Sequence, residues 1–412
     1  MRYNTNEHKE KRFRIILNCM LISGLSVFAQ LYLFQPMLSE LQASFGVSLA
    51  TGSLAVSAST IGMATGLFLF AFKADTFKRE RLMSLSLILS ALLTITSAFM
   101  SHFVLLLLLN FLKGIALSGV SAVALAYLSD EIEPGKIGLA ISLYLSGNTI
   151  GGMTGRVAGS LLAGWGGWQQ AVWVIGITSL LLGFLFYWKI PISSQVSQNS
   201  ISIREKLQQM RDLLSKRLFI GMYLIAALAM GVFVSVYNYI SIQLESPRYG
   251  LPHQMIAMIF VMYLTGVAGS IIVGKLSDKY RPERLLRYSL ILLGAGLSML
   301  LIPRLWALIA GLGVLTFAFF STHTIASRIV SVNASRSKSS ATSIYWLSYY
   351  AGSSIIGSLT GIILTRFGWD TFVEILLMLT TLSYLISSLA TGSFHISLVF
   401  HNSSEKSLSS YD

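Results

Sequence analysis

Cut at every Asp, Glu, Lys and Arg, the 412-residue chain leaves twelve charge-free runs of 16 residues or more, the first Ile15–Ser39 and the last Ile375–Ser404. A helix needs roughly 20 apolar residues to cross about 30 Å of hydrocarbon. Twelve such runs leave almost no chain over for a water-soluble domain. Only 11% of the residues are charged and 54% are hydrophobic, against about 25% charged in soluble domains, so a soluble globular fold is excluded. The single cysteine, Cys19, sits inside the first run and excludes an internal disulfide or a Cys-based metal cluster. That run, at 25 residues, exceeds the about 7–15 of a signal-peptide core and has no A-x-A-like cleavage site, so it reads as a retained helix.

Lys113 and Arg156 each interrupt a longer apolar stretch with room for two crossings, and hairpin breakers fall at Ser101-His102 and Gly164-Trp165-Gly166-Gly167. The spans are placed at 15–36, 51–72, 82–100, 103–127, 137–163, 170–188, 218–240, 253–274, 284–302, 305–327, 340–364 and 371–391. With the N-terminus inside, 25 of the 30 Lys and Arg residues fall in cytoplasmic segments, and the outer loops hold only Arg248, Arg304 and Arg366. The positive-inside rule therefore puts both termini in the cytoplasm. The net charge of +13 then reports topology rather than nucleic-acid binding.

The chain divides into an N-terminal tail (1–14), a six-helix half (15–190), a central cytoplasmic loop (191–217), a second six-helix half (218–391) and a C-terminal tail (392–412). Within the loop, Ile203, Leu207, Met210 and Leu214 fall at helical spacing beside Arg204, Lys206, Arg211 and Lys216, the pattern of an amphipathic helix on a lipid surface. The halves look like copies: Asp75, Glu80 and Arg81 align with Asp278, Glu283 and Arg284 at an offset of 203, which Phe34-Gln35 and Tyr237-Asn238 share. The expected fold class is thus an all-α membrane protein of twelve transmembrane helices in two pseudo-symmetric halves, the architecture of alternating-access carriers.

The turn after span 2, Ala71-x-Lys73-Ala74-Asp75-Thr76-x-Lys78-Arg79-x-Arg81, resembles the major facilitator superfamily signature G-x-L-A-D-R-x-G-R-K, and Gly274-x-Leu276-Ser277-Asp278 is its echo. Ala71, Lys73, Thr76 and Lys78 depart from it. Gly147-Asn-Thr-Ile-Gly151-Gly152-Met-Thr-Gly155-Arg156 resembles the superfamily's glycine-rich antiporter motif, with Gly152 where proline is common. Tyr127–Pro134, Leu145–Arg156 and Leu347–Ser354 resemble the bacterial YnfM or arabinose-efflux-like branch of drug and sugar exporters. The resemblance implies a bacterial cytoplasmic (inner) membrane transporter, functional as a monomer, with spans 1, 4, 7 and 10 lining the cavity.

Asp75, Arg79 and Arg81 fall where helix ends meet the cytoplasm. Arg79 and Arg81 are within reach of Asp130 or Glu131, and Asp278, Glu283 and Arg284 repeat the set. These residues are expected to form a cytoplasmic gate, against the alternative of solvated anchor charges. Gly147, Gly151 and Gly155 line one helix face and, with Gly152, are expected to let another helix approach, with span 8 across the half-to-half seam the expected partner.

Lys113 and Arg156 are the two deep cations, about 15 Å and 10–12 Å from the outer ends of their spans at about 1.5 Å per residue. No Asp or Glu occurs at mid-depth, which points to an anionic or zwitterionic substrate as the missing counter-charge. The alternative is that backbone groups hold both cations. Asn110 stands where family members often carry a span-4 arginine. Gln35, Tyr237, Asn238, Asn148, Tyr349 and Tyr350 are further binding candidates, with aromatic belts the alternative for the tyrosines. His323, the only histidine well inside a span, is a candidate proton carrier because imidazole ordinarily titrates near neutral pH; a packing histidine is the alternative.

The reading is a secondary transporter moving a small molecule, with protons, carried by His323, Lys113 or a protonatable solute, as coupling partner and efflux as direction; a proton-linked importer or a uniporter of a sugar-like or anionic solute is the alternative. The sequence has no G-x-x-x-x-G-K-[ST] nucleotide loop, and no cofactor, metal, catalytic residue or nucleic-acid partner is expected. A membrane-embedded transferase would need His, Asp or Glu clustered near an interface. A channel would not need two copies of a gated half.

Overall fold

The computed structural model describes residues 2–73, 77–133, 136–193, 202–277, 279–334 and 337–391. All regular elements among them are helical. Among the described residues, nine helices are long and apolar enough to cross a membrane. Two of these are pairs of crossings run together. The helix α6 (Ile137–Lys189) breaks at Gly166 and Gly167, the latter at φ +81°. The helix α13 (Lys338–Ala390) breaks at Gly368, φ +82°. Each break needs a left-handed residue that only glycine adopts without strain, and each is followed by a tryptophan that pins the hairpin. Trp168 Nε1 donates to Ser44 Oγ (3.1 Å) and Trp369 Nε1 to the Leu300 carbonyl (3.0 Å). Adding α11 (Pro282–Met299), whose first turns carry Glu283, Arg284 and Arg287, gives twelve helical segments, in keeping with the expected count.

In chain order, α1 is Arg2–Leu31, α2 Leu38–Phe45, α3 Leu49–Lys73, α4 Arg79–Ser97, α5 Phe103–Glu131, α7 Ile203–Leu214, α8 Arg217–Glu245, α9 His253–Ala257, α10 Tyr263–Leu276 and α12 Leu305–Asn333. Two spans depart from the expected continuous helices. Span 1 stops at Leu31, makes a 3-10 turn at Gln35–Met37 and resumes as α2. Pro36 lacks an N–H and crowds the carbonyl four residues back, so the helix cannot run through it. Span 8 is α9, a 3-10 turn at Met258–Met262 and then α10.

The glycine seam corrects the expected partner. A Cβ on Gly147, Gly151 or Gly155 would run into the backbone of Leu21, Leu25 or Ala29, so the face they form closes on α1 in the same half, not on span 8. The stripe lets two backbones touch, and the repeat does the same with Gly352 against Ala227 of α8. The halves meet through a hydroxyl ladder between α3 and α13. Ser57 Oγ bonds Ser358 Oγ at 2.6 Å, and Thr60 Oγ1 bonds Ser354 Oγ at 2.6 Å.

Ser202 caps α7 by accepting from the Glu205 amide at 3.1 Å, with Glu205 reaching back to Ser202 in a capping box. Of its apolar residues, Met210 and Leu213 are buried while Leu207 and Leu214 are half exposed. Ser340 Oγ of α13 donates to Gln209 Oε1 at 3.0 Å, and Lys206 Nζ donates to the Ala71 carbonyl of α3. This helix therefore packs on protein with part of the face expected to meet lipid.

Candidate functional site

The bundle has a basic end, carrying the tail and Lys78–Arg81, and an opposite, charge-poor end. Near the latter, Gln35 Nε2 donates to Asn238 Oδ1 at 2.7 Å, and both side chains are buried, 1% exposed. These two residues are each other's equivalent in the repeat, 203 positions apart. Equivalent residues touch only where a two-fold axis passes between them, so the pseudo-axis of the halves runs through this bond. Asn238 Nδ2 donates on to the Gly357 carbonyl at 3.4 Å, which also accepts from Tyr239 at 2.7 Å. Tyr237 turns away, bonding Thr316 at 2.7 Å and packing on Phe233, Phe260 and Tyr263.

Arg156 is held against this bond. Its Nε donates to Gln35 Oε1 at 2.6 Å and its Nη1 to the carbonyl of Gly152 at 2.5 Å. The guanidinium lies over the Tyr32 ring at 4.4 Å and the Tyr263 ring at 4.6 Å. Tyr32 sits in the break after α1 and Tyr263 at the start of α10, so the cation clamps a ring from each half. Gly152 makes room for this fold-back: a Cβ there would lie 3.1 Å from Nη1.

Lys113 is fully buried, donates to Asn110 Oδ1 at 2.7 Å and lies 5.0 Å from the centre of the Phe34 ring. The break at 32–35 thus supplies both deep cations with partners, by the negative faces of aromatic rings and by an amide. Neither cation is paired with a carboxylate among the described residues, as the sequence implies, and Arg156 takes the expected alternative of a backbone carbonyl. No carboxylate was needed, because quadrupoles and amide oxygens offset part of the cost of burying a cation.

Below the Arg156 clamp lies a group of tyrosines. Tyr32 is within electrostatic reach of Arg156, Tyr263 and Ser353, Tyr349 of Tyr32 and Tyr263, and Tyr350 of Tyr32 and Tyr144. The Tyr263 hydroxyl and Asn110 Nδ2 are buried without a hydrogen-bond partner among the described residues, while the Tyr32 hydroxyl faces Ser353 and that of Tyr144 faces Asn148. Farther toward the basic end, His323 Nδ1 bonds the Tyr345 hydroxyl at 2.9 Å. Its ring lies against Trp346 (5.3 Å), Tyr349 (4.9 Å) and, stacked, Phe319 (6.3 Å). Tyr350 packs on Trp346.

At the basic end Arg79 pairs with Asp130. Glu131 is taken by Arg12 of the tail at 2.5 Å and by Ser193 at 3.0 Å, so its strong partner comes from α1 rather than from the exposed Arg81. Asp75 and Asp278 lie outside the described residues. Glu283 is in the first turn of α11 and Arg284 is exposed at the same end, while Arg328 of α12 donates to Ser277 Oγ at 2.5 Å.

Sequence reasoning passed over Tyr32, Tyr144, Tyr263, Tyr345, Trp346 and Ser353. Their signal was depth: Tyr144 and Tyr263 fall well inside charge-free runs, away from the interfacial belts where tyrosine ordinarily sits.

The family model of the Major Facilitator Superfamily matches residues 20–357 and 248–392. The chain is 32% identical over 357 residues to the uncharacterized MFS-type transporter YybF of Bacillus subtilis, covering 87% of this chain and 88% of that protein. It is 31% identical over 374 residues to the inner membrane transport protein YnfM of Escherichia coli, 90% of each. Among solved structures, a bacterial homolog of the human lysosomal transporter Spinster, inward-facing and occupied, matches at a TM-score of 0.73 and 17% identity, over 93% of this chain and 97% of that one.

Proposed function

The chain belongs to the Major Facilitator Superfamily and is a multi-pass membrane transporter, and on that premise we propose that it exports a small organic solute from a bacterial cytoplasm in exchange for protons. The two six-helix halves, 15–190 and 218–391, rock about the pseudo-axis, with the basic end and both termini in the cytoplasm of a monomeric carrier. The observation that carries this reading is the Gln35–Asn238 bond. A hydrogen bond between axis-related residues, backed by the Arg156 clamp on a ring from each half, is a seal that separates when the charge-poor end opens. Arg79–Asp130 ties α4 to α5 near the cytoplasmic gate.

His323 is the proton site. Its ring nitrogen already has a hydroxyl partner in Tyr345, and the surrounding rings offer their negative faces to an imidazolium. The absence of any acid at mid-depth in the sequence leaves His323 and Lys113 as the titratable groups there, and imidazole is the one that ordinarily titrates near neutral pH. The test is solute exchange in proteoliposomes with and without an imposed pH gradient. The reading expects saturable exchange, accelerated by the gradient in the native chain and indifferent to it in His323→Gln. Exchange that never responds to the gradient contradicts proton coupling, and linear, non-saturating flux contradicts a carrier.

A further inference from the structure

Resting on the carrier reading, we infer that Arg156 anchors the carboxylate of an aromatic acid between the two halves, through the guanidinium N–H groups that the protein leaves unclaimed. A guanidinium has five N–H donors in one plane. Arg156 spends one from Nε on Gln35 and one from Nη1 on Gly152. The second Nη1 hydrogen and both on Nη2 have no acceptor among the described residues. The Tyr32 and Tyr263 ring centres lie 4.4 Å and 4.6 Å from the guanidinium carbon. What the protein leaves unclaimed is one Nη1–H and both Nη2–H, donors of the kind that hold the oxygens of a carboxylate.

The surroundings are finished in the same sense. Tyr263 is 4% exposed, yet its hydroxyl has no hydrogen-bond partner among the described residues, while the Tyr32 hydroxyl and Ser353 have each other. A buried hydroxyl left unpaired is costly, and that of Tyr263, whose ring centre lies 4.6 Å from the guanidinium carbon, is a donor awaiting an acceptor. The groups come from both halves: Tyr32 and Arg156 from the first, Tyr263 and Ser353 from the second. A carboxylate bound there bridges the seam.

The apolar part of the ligand follows from what lies below. Trp346, Tyr349 and Tyr350 precede Ser353 on α13 within about 10 Å along the helix, and Trp346 and Tyr349 are partly exposed, which leaves ring surface for an aromatic solute to lie against. Trp346 and Tyr349 centre 5.1 Å apart at 76°, and Trp346 and Tyr350 5.8 Å apart, so the walls are ring faces and edges. Lys113 does not compete as the anchor, because its ammonium is engaged by Asn110 at 2.7 Å and by the Phe34 face. A cationic solute would meet Arg156 at the roof and find no carboxylate to pair with.

The experiment measures binding to the purified full chain in lipid nanodiscs by calorimetry, with benzoate as probe and benzyl alcohol, benzylamine and acetate as controls lacking the charge, its sign or the ring. Benzoate is expected to bind at least tenfold more tightly than each control, and Arg156→Gln to lose it. Tyr263→Phe keeps the ring on the guanidinium and removes only the unpaired hydroxyl. It is expected to weaken benzoate about three- to tenfold while leaving the melting temperature of the unliganded protein unchanged, so the proposal stands on a folded variant even if Arg156→Gln does not fold. Benzyl alcohol or benzylamine binding as tightly as benzoate, or benzoate binding untouched by Tyr263→Phe, overturns it. Saturable exchange of another solute in proteoliposomes without competition from benzoate refutes the carboxylate site alone. Failure of every solute to exchange refutes the carrier reading beneath it.

Discussion

Gln35→Leu is the most informative single change to the seal. Gln35 accepts from Arg156 Nε at 2.6 Å and donates to Asn238 Oδ1 at 2.7 Å. The first is charge-assisted, about 1.5–3 kcal/mol, and the second neutral, about 0.5–1.5 kcal/mol. Both are made when the charge-poor end is shut, and water replaces them when it opens. The substitution therefore removes about 2–4 kcal/mol from the shut state alone. At about 1.4 kcal/mol per tenfold, the ratio of shut to open falls about 30- to 1,000-fold. The single native cysteine, Cys19, is buried, which makes a clean reporter practical. In a Cys19→Ser, Ser353→Cys background, a membrane-impermeant maleimide added outside intact cells reaches buried position 353 only through the charge-poor end. Gln35→Leu is expected to raise the labelling rate, and Gln35→Glu, which keeps an acceptor for Arg156, to raise it less. Unchanged labelling in a Gln35→Leu protein that melts like its parent refutes the seal.

Three further outcomes are expected. Arg79→Asp slows exchange and lowers the melting temperature, because the pair's side chains are only 11% and 23% exposed and the change sets Asp130 against a like charge in a mostly buried site; the charge-swapped pair Arg79→Asp/Asp130→Arg restores both, as proteoliposome exchange and thermal melting check. Asn110→Leu removes the oxygen that accepts from buried Lys113 and destabilises by about 1–3 kcal/mol. Adding Lys113→Met recovers most of that loss, as a double-mutant cycle of melting data checks. The Glu10 carboxyl is held below its ordinary 4.5 by the hydrogen bond and charge of Lys136, with Arg14 adding to it. Its contribution to docking the tail is therefore complete above pH 4.5 and lost as pH falls through the depressed value; amide exchange over residues 9–14 stays protected down to that range, and Lys136→Gln removes the acid step.

What was legible in the chain were the features set by length and local chemistry. The crossing segments follow from charge-free runs, and the two Gly-Trp hairpins from a residue that tolerates φ of +81° or +82°. The Gln35–Asn238 correspondence was readable as an offset, though not as a bond. Helix rotation was not legible. The face of Gly147, Gly151 and Gly155 looks the same in sequence whether it meets α1 or α10, and only the fold shows the backbone of Leu25 beneath Gly151. The partners of Lys113 and Arg156 were missed because a search for carboxylates passes over ring faces. The break at Pro36, which brings Tyr32, Phe34 and Gln35 to those cations, was hidden inside an apolar run.

Alternating access itself is tested most directly by paired spin-label distances at the two ends in a Cys19→Ser background. One pair, Ser48→Cys with Arg248→Cys, spans the charge-poor end; the other, Lys78→Cys with Lys279→Cys, spans the basic end; all four positions are exposed. In protein that exchanges solute, a longer population at the first pair accompanied by a shorter one at the second, growing together as Gln35→Leu is introduced, is the predicted result. Distances at the two ends that stay single and fixed, or that lengthen together, contradict a carrier that rocks about the Gln35–Asn238 axis.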